Sequence, residues 1–218
     1  MKIQPSVFIA AIDRLIASNV SVDVGSGMRS IIDLCEREYP HSSWSALRSI
    51  DYTADAAALR TWFDHTLSTE PPSAPLRGLY FAVCQPILNS GEVTDDIQIV
   101  GTAEYEPDDI DMEWIFSRHY FPKAYASSAA LHELYGVAYG THAFGVESKG
   151  VLGNDAEWPV GLAYAVLATR AVLEGRTVGD LPTDAKRVGV AAGWGEGDML
   201  LIGDVTATGF VPTSLLDT

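Results

Sequence analysis

The segment from Trp158 to Glu174 constrains the fold more than any other part of the chain, because it is apolar almost all round a helix. A helix with apolar residues on every side is typically buried on all of its faces. Thr169 and Arg170 interrupt the apolar run, which therefore falls short of the ~18 uninterrupted apolar residues of a membrane span. We expect this helix to be the most buried one of the fold.

Other helices are predicted where apolar residues recur every three or four positions. These predicted helices cover residues 5–18, a segment from Ser26 to before Pro40, residues 55–67 and residues 127–139. The stretch 41–52 is ambiguous between irregular chain and a short helix. The Pro-rich connection at residues 70–75 is the clearest break in the chain. We therefore interpret the chain as one domain, residues 1–218, with a separate helical N-terminal subdomain, residues 1–70, as the alternative division.

After the Pro-rich connection, runs of β-forming residues predict strands. Four are expected at residues 79–84, 97–105, 188–192 and 199–205, with a short fifth at residues 112–116. Short connections leave no room for a crossover within either pair, so both pairs should be antiparallel. The expected fold is α+β: one mainly antiparallel sheet of four to five strands packed against helices, with an α-helical N-terminal region. The tail from Thr208 is expected to be peripheral.

The sequence contains 14 Lys and Arg residues against 29 Asp and Glu, a formal net charge of −15. Such a surface repels phosphate, which argues against nucleic-acid binding. A content of 47% hydrophobic residues argues against disorder. The N-terminus lacks a signal-peptide apolar core, and Cys35 and Cys84 lie among apolar residues, as expected of buried thiols in a reducing compartment. We therefore predict a cytoplasmic protein that binds neither nucleic acid nor membrane.

The acidity is concentrated in residues 78–117, which contain nine acidic residues and no Lys or Arg. The densest part, Glu104 to Glu113, has six acids in ten positions, with aromatic residues interleaved around it. This composition suits a basic protein partner, since opposite charge speeds association and aromatic side chains anchor it. The candidate partner-binding residues are Glu106, Asp108, Asp109, Asp111, Glu113 and Trp114. A solvated loop that keeps the protein soluble is the alternative, and a Ca²⁺ site is disfavoured because the loop lacks the glycine and the acid spacing of such sites.

No strong catalytic, metal-binding or nucleotide-binding motif occurs in the sequence, so we predict no metal and no cofactor. Enzymatic activity is the less favoured hypothesis, and its weak candidates lie on and after one helix: His132, Glu133, His142 and Glu157. His132 and Glu133 are neighbours that project about 100° apart, so they cannot share one ligand. These residues would form a site if they converged in a pocket near residues 125–160.

The sequence thus favours an acidic protein-binding module that associates with a basic protein partner. Immunity and inhibitor proteins that neutralise cationic nucleases work by this physical logic, in which opposite potential gives fast association. The analogy concerns this physical principle alone and is not a resemblance to a particular family. An enzyme or small-molecule binder with a pocket near residues 125–160 is the alternative function, and the oligomeric state stays open.

Overall fold

The computed structural model describes residues 4–17, 23–85, 94–109, 111–140, 151–195 and 197–215. The helices are α1 Pro5–Ile16, α2 Val24–Glu38, α3 Trp44–Arg48, α4 Tyr52–Thr69, α5 Ala129–Tyr139, α6 Asn154–Ala156 and α7 Leu162–Leu173. The strands are β1 Gly78–Cys84, β2 Asp96–Thr102, β3 Arg118–Tyr120, β4 Ala126–Ser127, β5 Arg187–Trp194, β6 Met199–Thr206 and β7 Gly209–Pro212. A wide π-helical turn, Glu157–Gly161, joins α6 to α7, and 3-10 turns cover Glu113–Phe116 and Val178–Asp180.

The seven strands of the described residues belong to one sheet, ordered β3-β2-β1-β5-β6-β7, with β4 also paired to β2. Every pairing is antiparallel except that of β1 with β5, which is parallel. The predicted α+β class and the two antiparallel pairs are confirmed, and the sheet is larger than the four to five strands expected. The fifth strand predicted at residues 112–116 is wrong, because Glu113–Phe116 forms a 3-10 helix.

Two helices begin earlier than their apolar pattern indicates, because an aspartate precedes each of them. The Asp23 carboxylate accepts the backbone N–H of Ser26 at 3.0 Å, so α2 begins at Val24. The Asp51 carboxylate accepts the N–H of Ala54 at 3.0 Å, so α4 begins at Tyr52. Such N-caps satisfy backbone donors that have no partner within the helix.

The predicted burial of the apolar helix is confirmed, since every residue of α7 except Ala171 is buried. One side of α7 packs on α4, α2 and α1, and the other packs on β5, β6 and β1. Arg170 of α7 is only 5% exposed, and its guanidinium lies 4.7 Å from the centre of the Phe210 ring. Phe210 belongs to β7, so the tail is an edge strand that covers the core and is not peripheral as predicted.

The N-terminal helices and the sheet contribute to the same buried apolar cluster. Phe63 of α4 stacks on Phe81 of β1 with 5.6 Å between ring centres, so the helix preceding the Pro-rich connection packs directly on the sheet. A second, smaller cluster lies on the opposite face of the sheet, around Tyr80, Val100 and Ala191. No described helix combines the length and the apolarity that crossing a bilayer requires.

Candidate functional site

The face of the sheet opposite α7 is covered by the densest acidic part of the sequence. Residues 103–117, which we call the acidic cover, connect β2 to β3 across this face, with Ile110 outside the described residues. Trp114 and Ile115 of the acidic cover are buried on the sheet, and Tyr105 and Met112 are partly buried beside them. The acidic cover is therefore a packed layer of the fold.

Two glycines of the sheet make this close packing feasible. Gly78 of β1 and Gly189 of β5 pair with each other in the parallel register. A Cβ at Gly189 would lie 2.1 Å from Cε2 of Tyr105, and a Cβ at Gly78 would lie 2.4 Å from Cζ3 of Trp114. The two rings meet edge to face, 5.1 Å apart. The Tyr105 and Trp114 rings thus occupy the space into which a side chain at position 189 or 78 would project.

Hydrogen bonds close the acidic cover at its base. The N–H of Ala103 donates to the carbonyl of Ser117 at 2.9 Å, and the Ser117 hydroxyl accepts the N–H of Glu104 at 3.1 Å. The same hydroxyl donates to the carbonyl of Trp114 at 2.7 Å. Met112 lies in the left-handed region at φ 52°, where the chain turns into the 3-10 helix. The ends of the segment are therefore fixed relative to the sheet.

The carboxylates of the acidic cover face solvent. Glu104, Glu106, Asp108, Asp111 and Glu113 are exposed, whereas Asp109 is half-buried and accepts the N–H of Trp114 at 3.4 Å. Within the described parts of the chain, none of these carboxylates forms an ion pair. No side chain in the described ranges therefore neutralises their negative charge within ion-pair distance.

Trp114 does not have the surface position that the sequence interpretation gave it. The residue is 3% exposed, because its ring fills the space above Gly78 and fastens the acidic cover to the sheet. The aromatic residue presented to solvent is Phe116, which is 66% exposed, with the guanidinium of Arg118 5.5 Å from its ring centre. The aromatic residues among the acids predicted an anchor for a partner, but tertiary packing decides whether a given ring faces the sheet or the solvent.

Two concave surfaces adjoin the acidic cover. A cavity of about 620 Å³ is lined by Glu104, Glu106, Asp109 and Glu113 together with Arg77, which is itself ion-paired with Asp184 at 2.7 Å. A second cavity, of about 530 Å³, lies between the acidic cover and β6. Both volumes fall within the ~300–1,000 Å³ typical of ligand-binding clefts.

A separate polar cluster lies where β1 and β5 end. The buried carboxylate of Asp95 has its Oδ2 3.1 Å from Nδ1 of His132, and its Oδ1 accepts the Gln85 side-chain amide at 2.7 Å. The His132 side chain is 50% exposed. A carboxylate in this position fixes the orientation of the imidazole.

Glu157 joins this cluster from the π-helical turn. It is half-buried and hydrogen-bonded to the Tyr139 hydroxyl. Burial, with the nearby charge of Asp95, raises the pKa of Glu157 above its ordinary value of 4.5. Burial and the Glu157 charge likewise raise the pKa of Tyr135, whose ring lies 6.2 Å from that of Trp194. Asp95 thus contacts His132, and its charge acts on Glu157; both of these residues were singled out in the sequence.

The other candidates do not complete this cluster among the described residues. Glu133 is exposed and lies near Tyr52, whose pKa is raised by burial and by the Glu133 charge, and His142 lies outside the described residues. Burial raises the pKa of Cys84 to about 12, so it is a thiol and not a nucleophilic thiolate at neutral pH. The described residues contain no group of three or more His, Cys, Asp or Glu side chains that could hold a metal ion.

Comparison with protein-family models, with curated proteins and with solved structures found no match to this chain. The function must therefore be inferred from the chain's own residues. Asp95, which the sequence interpretation missed as a site residue, lies 37 positions from His132, so no local pattern connects the two. Tyr135 and Tyr139 were missed for a different reason, since both follow the ordinary spacing of a packed helix.

Proposed function

We propose that this protein is a binding module that receives a basic protein partner on the acidic cover, in the manner of an inhibitor or immunity protein. The observation that carries this proposal is the set of solvent-facing carboxylates without described ion pairs, held on a segment that is packed against the sheet. A segment whose only role was solubility would need charge, but it would not need two glycines in register to fasten it.

The physical advantage of this arrangement is kinetic. A concentrated negative potential steers a basic partner and raises association rates by about 10- to 1,000-fold, and salt reduces this gain steeply. Preorganised carboxylates also lose little side-chain and loop entropy when the partner binds. The acidic cover would therefore provide both speed and preference for a positively charged surface.

Affinity capture from the native host tests the proposal. The baits are the wild-type protein, an acidic-cover variant (Asp108→Asn, Asp109→Asn, Asp111→Asn) and an α2 variant (Asp33→Asn, Glu36→Gln, Glu38→Gln). Both variants remove three negative charges. Among the three α2 residues, Asp33 and Glu36 pair with Arg48 at the surface, where an ion pair contributes about 0–1 kcal/mol, and Glu38 is exposed.

We expect a protein of high isoelectric point to be recovered with the wild-type and α2 baits and lost with the acidic-cover bait. Equal recovery with all three baits would mean that net charge, or another surface, attracts the partner. Recovery of no basic protein by the wild-type bait would also count against the proposal.

The cluster of Asp95, His132 and Glu157 favours a second candidate function, the binding of a small molecule. Its specific support is the convergence of a buried carboxylate, an imidazole and a carboxyl of raised pKa at the ends of the parallel strands β1 and β5. A thermal-shift screen of metabolites tests it. A true ligand should raise the Tm of the wild-type protein but not that of Glu157→Gln or His132→Asn, and a screen without such a compound argues against this function.

A further inference from the structure

We infer that the cavity between the acidic cover and β6 is an anchor groove, which takes an apolar side chain from a segment of the partner that also carries Lys or Arg. This inference rests on the proposed function and specifies the chemistry of the partner. It follows from the juxtaposition of apolar and acidic side chains in a single cavity of about 530 Å³. The lining residues that matter are Met112, Met199, Leu201, Asp108 and Asp109.

The apolar side chains of the anchor groove come from two separate layers. Met199 and Leu201 belong to β6, and Met112 belongs to the acidic cover. Leu201 is 8% exposed, whereas both methionines are only half-buried. Methionine is unbranched and polarisable, so a pair of methionines adapts to apolar side chains of different shape. The groove therefore suits insertion of a leucine-, methionine- or phenylalanine-like side chain.

The acidic side chains of the groove determine which residues of the partner should flank the inserted apolar side chain. Asp108 is exposed and Asp109 is half-buried in the same cavity, and neither forms an ion pair with a described residue. An apolar side chain flanked by Lys or Arg would place its positive groups beside these carboxylates while filling the groove. Charge would then control the association rate, and the buried apolar anchor would control the dissociation rate.

Charge also selects among the alternative occupants. A second copy of this chain carries −15 itself, so a contact between two acidic covers would be repulsive. An acidic peptide is disfavoured for the same reason. A cationic segment with an apolar centre is the occupant that satisfies both parts of the groove.

Methionine methyl groups provide direct probes of the groove. The sequence has four methionines, of which Met112 and Met199 line the anchor groove and Met28 is fully buried in α2. The protein is labelled with ¹³C at the methionine methyls and titrated with the synthetic peptide Gly-Lys-Lys-Leu-Leu-Lys-Lys-Gly. The control peptide has serine in place of both leucines. Both titrations are repeated with Met199→Gln and with Val7→Gln, which alters an exposed apolar residue of α1.

We expect the leucine peptide to shift the methyl signals of Met112 and Met199 but not that of Met28. It should bind about tenfold or more tightly than the serine peptide, as burial of leucine side chains implies. Met199→Gln should abolish this difference, and Val7→Gln should retain it. The methyl shifts of the wild-type protein test the groove even if the Met199→Gln variant folds poorly.

Equal binding of both peptides, sensitive to salt and to Asp108→Asn but not to Met199→Gln, would overturn the anchor groove and leave the acidic cover as a purely electrostatic surface. Failure of both peptides to bind at low salt would contradict the anchor groove and the proposed function together. The two failures are therefore distinguishable.

Discussion

Gly78 and Gly189 lie opposite each other on the parallel strands β1 and β5, and together they open a flat area of backbone on one face of the sheet. The rings of Trp114 and Tyr105 pack on that area. Because both residues belong to the acidic cover, this packing holds the acidic cover against the sheet. The position of the charged surface therefore depends on two residues that have no side chain.

Substitution of Gly189 by alanine should displace the acidic cover. The new Cβ would lie 2.1 Å from the Tyr105 ring, so the ring must move. Overpacking of this kind costs roughly 1–3 kcal/mol of unfolding free energy. Chemical denaturation measures this loss, and near-ultraviolet circular dichroism reports the moved aromatic rings. Gly179→Ala is the matched control, because its Cβ would meet only the Thr177 hydroxyl at 3.4 Å. Equal stability of the two variants would refute the role of Gly189.

Asp55 of α4 should be among the most sensitive polar residues of the fold. Its carboxylate accepts the Ala129 N–H at 2.9 Å and the Ser128 hydroxyl at 2.6 Å, and it is also hydrogen-bonded to the Tyr164 hydroxyl. Asp55→Ala should lower the unfolding free energy by about 3 kcal/mol, since hydrogen bonds to a charged group are strong and their buried donors lose their partner.

Asp184→Ala is the control for Asp55→Ala. Asp184 pairs with Arg77 at 2.7 Å, both side chains are exposed (66% and 39%), and an exposed ion pair contributes about 0–1 kcal/mol. Urea denaturation of both variants compares the two losses. A smaller loss for Asp55→Ala than for Asp184→Ala would show that Asp55 does not hold α4, α5 and α7 together.

Glu157→Gln should change how stability depends on pH. Because the pKa of Glu157 is raised in the folded protein, its ionisation favours unfolding, so stability is lost as pH rises from its ordinary pKa of 4.5 through the raised value. Glutamine retains an oxygen for the Tyr139 hydroxyl and does not ionise. The variant should therefore gain stability relative to the wild type between pH 4.5 and neutrality, in denaturation measured across this range. A difference independent of pH would contradict the raised pKa, and the exposed Glu133→Gln is the control.

Neither cysteine should react with a thiol reagent in the folded protein at neutral pH. Burial raises the pKa of both Cys35 and Cys84 to about 12, so the thiolate fraction is very small. Mixing with an aromatic disulfide reagent should release almost no product until a denaturant is added. Rapid reaction of the native protein would show that one thiol is activated, and the variants Cys35→Ser and Cys84→Ser would identify it.

The main architecture could be predicted from the sequence, because long patterns carry strong signals. The apolar run of α7 and the β-forming runs of β1 and β5 can each be recognised from the residues of that segment alone. Strands β3, β4 and β7 have only two to four residues each, and they are defined by pairing with β2 or β6 instead of by composition. These strands form because distant parts of the chain contact one another, and the periodicity of a local segment carries no information on such contacts.

The acidic surface could be located from the sequence, but its construction could not. Trp114 and Ile115 resemble strand residues in composition, yet they form a 3-10 helix because Met112 turns the chain and Gly78 leaves space for the indole ring. Likewise, His132 could be singled out by its residue type alone, whereas the carboxylate that orients it belongs to Asp95, which directly precedes β2. Long-range packing decides both arrangements.

The most direct test of the central claim is the salt dependence of association between this protein and its captured basic partner, measured by stopped-flow fluorescence. For the wild-type protein and the α2 variant, the association rate should fall steeply as salt rises. The variant Asp108→Asn, Asp109→Asn, Asp111→Asn should associate about tenfold or more slowly at low salt and show a much shallower dependence. Equal rates and equal salt dependence for all three proteins would contradict recognition by the acidic cover.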